Sequence, residues 1–314
     1  MSLPRLTIAL LTSSLLATPV GGQNDGQGAP QTRSEQVVHV SVVADKRYVG
    51  DLGQSAFSAL LDKKPTTVRL LRTTCPASVV VVLDVSTSMH ISDRQQLIER
   101  IGAAASELNS SRNDETEFSF VAVADGVSQV SPFVRDPRGL FKGESSLPTP
   151  NSTAMFDSCR LAVEALRTQS TPKRVMIVVS DGQDNRSRTS YVAVRNLLLR
   201  DNVLVYTVLW SVGLARDTQS TQLYGAALLE ELASQTGGLA LEVTEARELD
   251  AVFRQIATDL NNQYSLGITV PGPIRKDGID VRIEVELPKG RVGRNKAQVR
   301  CQKRVFDRLA PGAK

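Results

Sequence analysis

The sequence predicts an α/β fold in which a doubly wound, mostly parallel sheet carries β-rich flanks at its N- and C-terminal ends. In the middle of the chain, short apolar runs of strand length alternate with segments whose apolar residues recur at helical spacing. This alternation is typical of βαβ units. The run at residues 79–83 is apolar at every position, as in a strand that is buried on both faces of a parallel sheet.

The predicted elements divide the chain into five segments. Arg5 precedes an apolar stretch at residues 6–20 that is short for a membrane span and ends near small residues, which is typical of a secretory signal peptide. A short membrane anchor is the alternative for this stretch. The Gly-, Gln-, Asn- and Pro-rich residues that follow predict a disordered linker. We expect a signal peptide at 1–22, a linker at 23–35, an N-terminal β flank at 36–74, an α/β domain at 75–262 and a C-terminal β flank at 263–308.

Composition and charge argue against several classes of protein. Apolar residues make up 41% of the 314 residues, which is enough for a sizeable core. The net charge of +4 comes from scattered Lys and Arg without a dense basic tract, so nothing favours nucleic-acid binding. No later run is long and apolar enough for a transmembrane helix. We therefore expect an exported protein, periplasmic or extracellular, with no integral membrane segment once the signal peptide is removed.

The flanking segments show the two-residue period of β-strands. Alternate valines at residues 38–42 predict a strand with one buried face in the N-terminal flank. Residues 279–287 alternate in the same way in the C-terminal flank. One further strand is predicted there from Val299, Cys301 and Val305. The two flanks are candidates for a single accessory layer.

The middle of the chain alternates between strand and helix patterns. Helices are predicted where apolar residues recur every three or four positions, and strands where apolar runs are short and continuous. The segment at 127–134 is expected to pair with the strand before it. The predicted strands lie at 118–123, 175–179, 203–210 and 239–243, and the helical patterns lie around 97–108, 158–166, up to 199, 223–233 and 249–260.

The three cysteines are too few for a disulfide scaffold or a zinc cluster. Cys159 stands at helical spacing with Met155 and Leu166, which predicts a small core residue. Cys75 and Cys301 are candidates for a disulfide after export.

Polar side chains replace the apolar run where the first central strand ends. Asp84, Ser86 and Ser88 stand at alternate positions, so their oxygens can converge as the loop curls. Oxygen ligands suit Mg²⁺, Mn²⁺ or Ca²⁺ rather than zinc. Taken alone, the same residues are equally typical of a turn or a helix N-cap.

Two other loops are expected at the same edge, because ligands of open α/β sheets bind outside the carboxyl ends of the strands. The apolar run at 175–179 leads into Ser180, Asp181 and Gly182, so a carboxylate again follows a strand. Thr153 stands just before a predicted helix, where its hydroxyl can contact an ion directly or through water, or act as an N-cap.

These residues together resemble the metal-ion-dependent adhesion site of von Willebrand factor type A domains. The resemblance is carried by Asp84-x-Ser86-x-Ser88, by Thr153 in STAMFD and by Asp181 in SDG, in the family's order and approximate spacing. It covers roughly residues 77–263, and the flanks are similar to those of the exported bacterial branch called VWFA-related proteins. Asn151 and Ser152 depart from the pattern, since the family often has two glycines before the threonine.

The resemblance implies a Rossmann-like domain that binds proteins and is not an enzyme. The implied ion is Mg²⁺, or Mn²⁺ or Ca²⁺, and a Glu or Asp of a partner protein would complete its coordination. The implied ligands are Asp84, Ser86, Ser88, Thr153 and Asp181, with Asp181 acting through a water.

Two other functions remain open at this stage. A metal-dependent phosphoryl hydrolase would use Asp84 as its nucleophile, but such chemistry needs a second carboxylate two residues later, where Ser86 stands. A structural role in an envelope assembly, in which the metal only stabilises the domain, is the other alternative.

Overall fold

A computed structural model describes residues 33–72, 76–89, 94–110, 116–123, 130–140, 151–212, 220–288 and 297–307. The predicted signal peptide, most of the predicted linker and Cys75 lie outside these residues, so those predictions remain predictions. Within the described ranges, no helix has both the length and the apolar character needed to cross a membrane.

The N-terminal flank is built from strands, as predicted, but it starts earlier than the sequence indicated. Its first strand begins at Arg33, so residues 33–35 belong to the sheet rather than to the linker. The strands are β1 Arg33–Ala44, β2 Arg47–Tyr48, β3 Phe57–Leu61, β4 Lys64–Thr66 and β5 Val68–Arg72.

The α/β domain follows with the predicted alternation of strands and helices. The strand predicted at 203–210 has those bounds in the structure, and the strand predicted at 239–243 begins one residue later. The other elements extend the predicted segments by a few residues. The elements are β6 Ala77–Asp84, α1 Arg94–Ser110, β7 Glu117–Val123, α2 Met155–Arg167, β8 Lys173–Ser180, α3 Tyr191–Arg200, β9 Val203–Trp210, α4 Ser220–Thr236, β10 Ala240–Val243 and α5 Leu249–Asn261.

These five strands form one parallel sheet in the order β10-β9-β8-β6-β7, which confirms the predicted doubly wound fold. Every residue of β6 is buried, because helices cover both faces of the sheet. Val79 and Val81 pack into one core with α1 and α5, whereas Val80 and Val82 pack into the other with α2, α3 and α4. Burial of one such side chain stabilises the fold by about 1.5–3 kcal/mol. The central strand is thereby fixed in its place, and so is the loop that leaves it.

The C-terminal flank corrects one prediction. Val299 and Val305 do not share a strand, because the chain leaves one sheet after Arg300 and enters the other at Arg304. Between them, Lys303 donates its backbone N–H to Gln235 of the α/β domain, and this turns the chain. The strands are β11 Gln263–Pro271, β12 Ile279–Val285, β13 Gln298–Arg300 and β14 Arg304–Val305.

The two flanks pair with each other strand by strand. One sheet has the order β13-β1-β11-β5, with β2 paired to β1, and the second sheet has the order β14-β12-β3-β4. Each sheet thus mixes strands from both ends of the chain, and the two share a single hydrophobic core. The flanks therefore form one accessory unit, a possibility that the sequence raised and left open.

The first strand is buried on both faces, although the sequence predicted one buried face. His39 and Ser41 lie on the face expected to be solvated, and they are only 5% and 0% exposed. Ser41 donates its hydroxyl to Asp259 of α5 at 2.8 Å, and His39 Nδ1 lies 3.1 Å from Ser265 Oγ. Both residues thus form polar contacts within the protein on a face that is closed to solvent.

Asp259 is the hub of a buried network that joins the flanks to the α/β domain. Its carboxylate accepts hydrogen bonds from Ser41, from Tyr206 Oη at 2.6 Å and from the guanidinium of Arg300. These donors come from β1, β9 and β13, so three parts of the chain meet on one fully buried carboxylate. A buried charge with this many donors is tolerated, whereas removing the charge would leave the donors unpaired.

The described cysteines are both free and buried. Cys159 is a core residue of α2, as predicted, and burial raises the pKa of its thiol to about 12. Cys301 lies in the core between the flank sheets, where it forms no disulfide. Its candidate partner Cys75 lies outside the described residues, so a bond between the two cysteines stays a possibility from the sequence.

Candidate metal centre

The candidate site lies at the carboxyl edge of the central sheet, where β6 and β8 end side by side. Leu83 pairs with Val179 in the parallel register, so Asp84 at the end of β6 lies level with Ser180 at the end of β8. Ser180 donates its hydroxyl to Asp84 Oδ2 at 2.8 Å. The register therefore brings the loop of Asp84 and the loop of Asp181 together, as expected for neighbouring parallel strands.

The loop after β6 presents three oxygen-bearing side chains close together. Ser86 donates its backbone N–H to Asp84 Oδ1 at 2.9 Å, which curls the loop back on the strand end. The hydroxyl oxygens of Ser86 and Ser88 are 2.9 Å apart. Trp210 of β9 donates its indole N–H to the backbone carbonyl of Met89 at 2.9 Å and holds the end of this loop.

The loop after β8 places a second carboxylate at the same edge. Asp181 is 1% exposed, and its two oxygens accept hydrogen bonds from the backbone and side-chain amides of Gln183 at 3.0 and 3.2 Å. Gly182 has a φ of +85°, and a Cβ at this position would lie 2.7 Å from the carbonyl carbon of Gly225 in α4. The turn therefore requires glycine.

Thr153 is buried just before α2 and forms hydrogen bonds with the loop that follows β8. Its N–H donates to Asn185 Oδ1 at 2.8 Å, and its carbonyl accepts from the backbone N–H groups of Asn185 and Arg186, both at 3.1 Å. The hydrogen bonds described for Thr153 reach this loop, not Asp84 or the two serines. The structure thus brings Asp84, Ser86 and Ser88 into direct contact and connects Thr153 to them through the loop of Asp181.

The electrostatics of the site are those of two carboxylates withdrawn from water. Burial raises the pKa of Asp84 to about 6, the hydrogen bonds from Ser86 oppose this rise, and the neighbouring charge of Asp181 adds to it. No ion pair between described residues includes either carboxylate. Two buried negative charges therefore lie near each other without a cationic side chain as a described partner.

This donor set fits a hard divalent cation. Carboxylate and hydroxyl oxygens are the ligands that Mg²⁺, Mn²⁺ and Ca²⁺ prefer, and a bound cation would remove the cost of holding two carboxylates together. In the part of the chain that the structure describes, no group of three or more His, Cys, Asp or Glu side chains could hold a metal ion. A site built mainly from Cys and His, as zinc prefers, is therefore not found among these residues.

Three supporting residues were not singled out as such from the sequence. Ser180 bonds directly to Asp84, and its place just before Asp181 at a strand end was a usable signal. Asn185 and Trp210 act on backbone groups 32 and 121 residues away, which no local pattern indicates. Asp184 accepts the N–H of Phe156 in the first turn of α2 and so caps that helix.

Comparisons with known proteins identify the domain that contains this site. Residues 79–183 match the family model of the von Willebrand factor type A domain. No curated protein matches the sequence.

Solved structures with a similar fold have low sequence identity to this chain. An aerotolerance-related membrane protein from Bacteroides fragilis NCTC 9343 is 16% identical, with 59% of this chain and 98% of that chain covered and a TM-score of 0.44. BatB from Bacteroides thetaiotaomicron is 17% identical, with 58% and 97% covered and a TM-score of 0.43. A von Willebrand factor type A protein from Catenulispora acidiphila is 12% identical, with 91% and 75% covered and a TM-score of 0.46.

Proposed function

We propose that this chain binds a partner protein and that this binding depends on a metal ion. The chain contains a von Willebrand factor type A domain, and such domains are in general protein-interaction or adhesion-type modules. In this proposal, Asp84, Ser86, Ser88, Thr153 and Asp181 hold one Mg²⁺, or Mn²⁺ or Ca²⁺, with Asp181 acting through a water. When bound, the ion supplies a positive centre that accepts an oxygen of a partner carboxylate.

One observation carries the proposal, namely the pair of buried carboxylates without a described cationic partner. Asp84 is 0% exposed and Asp181 is 1% exposed. A buried charge that only supported the fold would be expected to have a partner of opposite sign, as Asp259 has in Arg300. The hydroxyls of Ser86 and Ser88, 2.9 Å apart beside Asp84, supply further oxygen ligands.

The expected partner is a protein that offers an Asp or Glu side chain. In this proposal Asp84 is the one directly bound carboxylate, because Asp181 acts through a water. The ion therefore keeps part of its positive charge at its own coordination shell and attracts an external anion. The chain has a net charge of +4 from scattered residues, which gives no support to a nucleic-acid partner. Binding would take place outside the cytoplasm if residues 1–22 act as the predicted signal peptide.

We further propose that the domain is not an enzyme. Phosphoryl transfer to Asp84 would need a nearby general acid two residues later, and Ser86 has no carboxyl group. Asp84 is also engaged by hydrogen bonds from Ser86 and Ser180 at both of its oxygens.

The test combines metal titration with a binding and an activity assay. Mg²⁺, Mn²⁺ and Ca²⁺ are titrated calorimetrically into wild-type protein, Asp84→Ala and the control Asp250→Asn, which removes a charge from the partly exposed face of α5. We expect binding to the wild type and the control and none to Asp84→Ala. Capture of exported proteins on the immobilised domain should need Mg²⁺ and be lost with EDTA.

The alternatives give different results. Hydrolysis of a phosphate ester with Mg²⁺ that Asp84→Asn abolishes would support the hydrolase and overturn the proposal. If Asp84→Ala lowers thermal stability and leaves capture unchanged, the metal has only a structural role.

A further inference from the structure

The segment that carries Thr153 is held by another loop instead of by its own residues. Helix α2 begins at Met155, and its N-cap residue is Ala154, which has no side-chain acceptor. Asp184 Oδ2 accepts the N–H of Phe156 at 2.8 Å, and Ser187 Oγ accepts the N–H of Asp157 at 3.0 Å. Residues 184–187 thus cap the helix from outside.

The contact is reciprocal. Asp157 of α2 accepts the backbone N–H groups of Arg188 and Thr189, both at 3.0 Å, and the hydroxyl of Thr189. We refer to the two bonded segments, residues 153–157 and 184–189, as the clasp. The clasp joins the start of α2 to the residues that follow Asp181, so the loop of Thr153 and the loop of Asp181 form one unit.

Within the clasp, Asn185 holds Thr153 at both polar groups of its backbone. The side-chain oxygen of Asn185 accepts the N–H of Thr153 at 2.8 Å, and its backbone N–H donates to the carbonyl of Thr153 at 3.1 Å. Asn185 is four residues beyond Asp181. One short loop therefore both presents a carboxylate and fixes the backbone of the threonine.

We infer that Asn185 is a positioning residue, which orients Thr153 relative to Asp181 and thereby sets the affinity of the site for the cation. This inference rests on the proposed metal-binding function. The backbone of Thr153, which the amide of Asn185 holds before an ion arrives, limits the directions that the hydroxyl can take. Without that amide, water takes the place of the acceptor and the backbone of Thr153 is less ordered before the ion binds. The cost of ordering it then reduces the free energy of metal binding.

The exposure of Asn185 makes the inference testable. The residue is exposed, so its replacement leaves no cavity and no buried unpaired group on its own side. A variant is therefore expected to fold, and a change in affinity can be separated from a general loss of structure.

The first experiment is calorimetric titration of Mg²⁺ into the wild type, Asn185→Ala, Asn185→Asp and Ser190→Ala. We expect the alanine variant to bind Mg²⁺ about 10-fold more weakly, the low end of the range for residues that orient metal ligands. Asn185→Asp retains an acceptor oxygen and should restore the affinity. Ser190 is the matched control, because it lies next to the same loop but caps α3 through the N–H of Ala193, and its variant should bind as the wild type does.

A double-mutant cycle separates positioning from general destabilisation. In a Thr153→Ala background, Asn185→Ala should cost no further affinity, because there is no hydroxyl left to orient. In metal-free protein, the amide hydrogen of Thr153 should exchange with solvent faster in Asn185→Ala than in the wild type or in Ser190→Ala.

The possible failures can be told apart. If the wild type binds Mg²⁺ and Asn185→Ala binds it equally well, or if its loss is the same in the Thr153→Ala background, this inference is overturned and the proposed function stands. If the wild type binds none of Mg²⁺, Mn²⁺ and Ca²⁺, this inference and the proposed function are both overturned. The exchange rate of the Thr153 amide then still reports whether Asn185 holds the backbone of Thr153.

Discussion

Replacing Asp84 by asparagine should stabilise the metal-free protein and remove its response to Mg²⁺. The amide has the shape of the carboxylate without its charge. Its oxygen can still accept the N–H of Ser86, and its NH₂ group can meet the hydroxyl oxygen of Ser180. The substitution therefore removes mainly the cost of a buried charge that lies near Asp181.

The size of the effect follows from the pKa of Asp84. Its usual value of 3.8 is raised to about 6 in the fold, chiefly by burial. One pKa unit corresponds to about 1.4 kcal/mol, so at neutral pH the ionised form costs the fold about 3 kcal/mol. Because the amide makes weaker hydrogen bonds than the carboxylate, part of this benefit is lost. We expect Asp84→Asn to raise the free energy of unfolding of the metal-free protein by about 1–3 kcal/mol.

The sign of the pH dependence is fixed by the same shift. A carboxyl group with a raised pKa in the fold carries its penalty in full above about pH 6 and loses it as the pH falls toward the usual value of 3.8. The advantage of Asp84→Asn over the wild type should therefore be greatest at neutral pH and should shrink as the pH is lowered through this window.

Urea unfolding of EDTA-treated protein measures this difference, with Asp250→Asn as the control for loss of an exposed charge. We expect the midpoint of Asp84→Asn to lie above that of the wild type at neutral pH. Mg²⁺ should raise the midpoints of the wild type and of Asp250→Asn, but not that of Asp84→Asn. If metal-free Asp84→Asn is less stable than the wild type by about 1 kcal/mol or more, the Asp84 carboxylate stabilises the loop as a structural cap, and this prediction is wrong.

Three further substitutions test other parts of the account by urea unfolding. Asp259→Ala should cost about 3–5 kcal/mol, because it leaves the partly buried guanidinium of Arg300 and the hydroxyls of Ser41 and Tyr206 without their acceptor. Gly182→Ala should cost about 1–3 kcal/mol, since φ is +85° and the added Cβ meets the backbone of α4. Trp210→Phe should cost about 1–2 kcal/mol through the lost bond to the carbonyl of Met89, and should also weaken Mg²⁺ binding.

Each of these predictions has a contradicting result. Asp259→Ala with unchanged stability would mean that the network does not join the flanks to the α/β domain. Gly182→Ala with wild-type stability would mean that the turn relaxes without cost. Trp210→Phe with wild-type affinity for Mg²⁺ would show that the indole supports the core and not the first loop.

The sequence predicted the central sheet well because its strands are fully buried. Residues 79–83 and 203–210 are short apolar runs between helical patterns, and burial on both faces leaves little room for another interpretation. The short C-terminal strands were harder to predict, because their bounds depend on which sheet each one joins. Val299 pairs with β1 and Val305 with β12, and partners so distant in sequence leave no local pattern.

The residues of the candidate site were recognisable only as a set. Asp84 and the two serines have an equally simple interpretation as a turn, and Asp181 and Thr153, in two later loops, made a metal site the stronger hypothesis. The residues that hold these loops were not predicted as supports, because Asn185 and Trp210 act through backbone groups far away in the chain. Hydrogen bonds of that kind depend on the folded arrangement of loops and not on residue type.

The proposal that side chains from three loops hold one divalent cation is tested most directly by counting bound Mn²⁺. Electron paramagnetic resonance gives this count for the wild type, Thr153→Ala and Asp181→Asn. We expect one bound ion per wild-type chain and weaker binding in each variant, because Thr153 and Asp181 belong to the same proposed centre. A wild-type protein that binds no Mn²⁺, or one whose binding is unaffected by both substitutions, would contradict it.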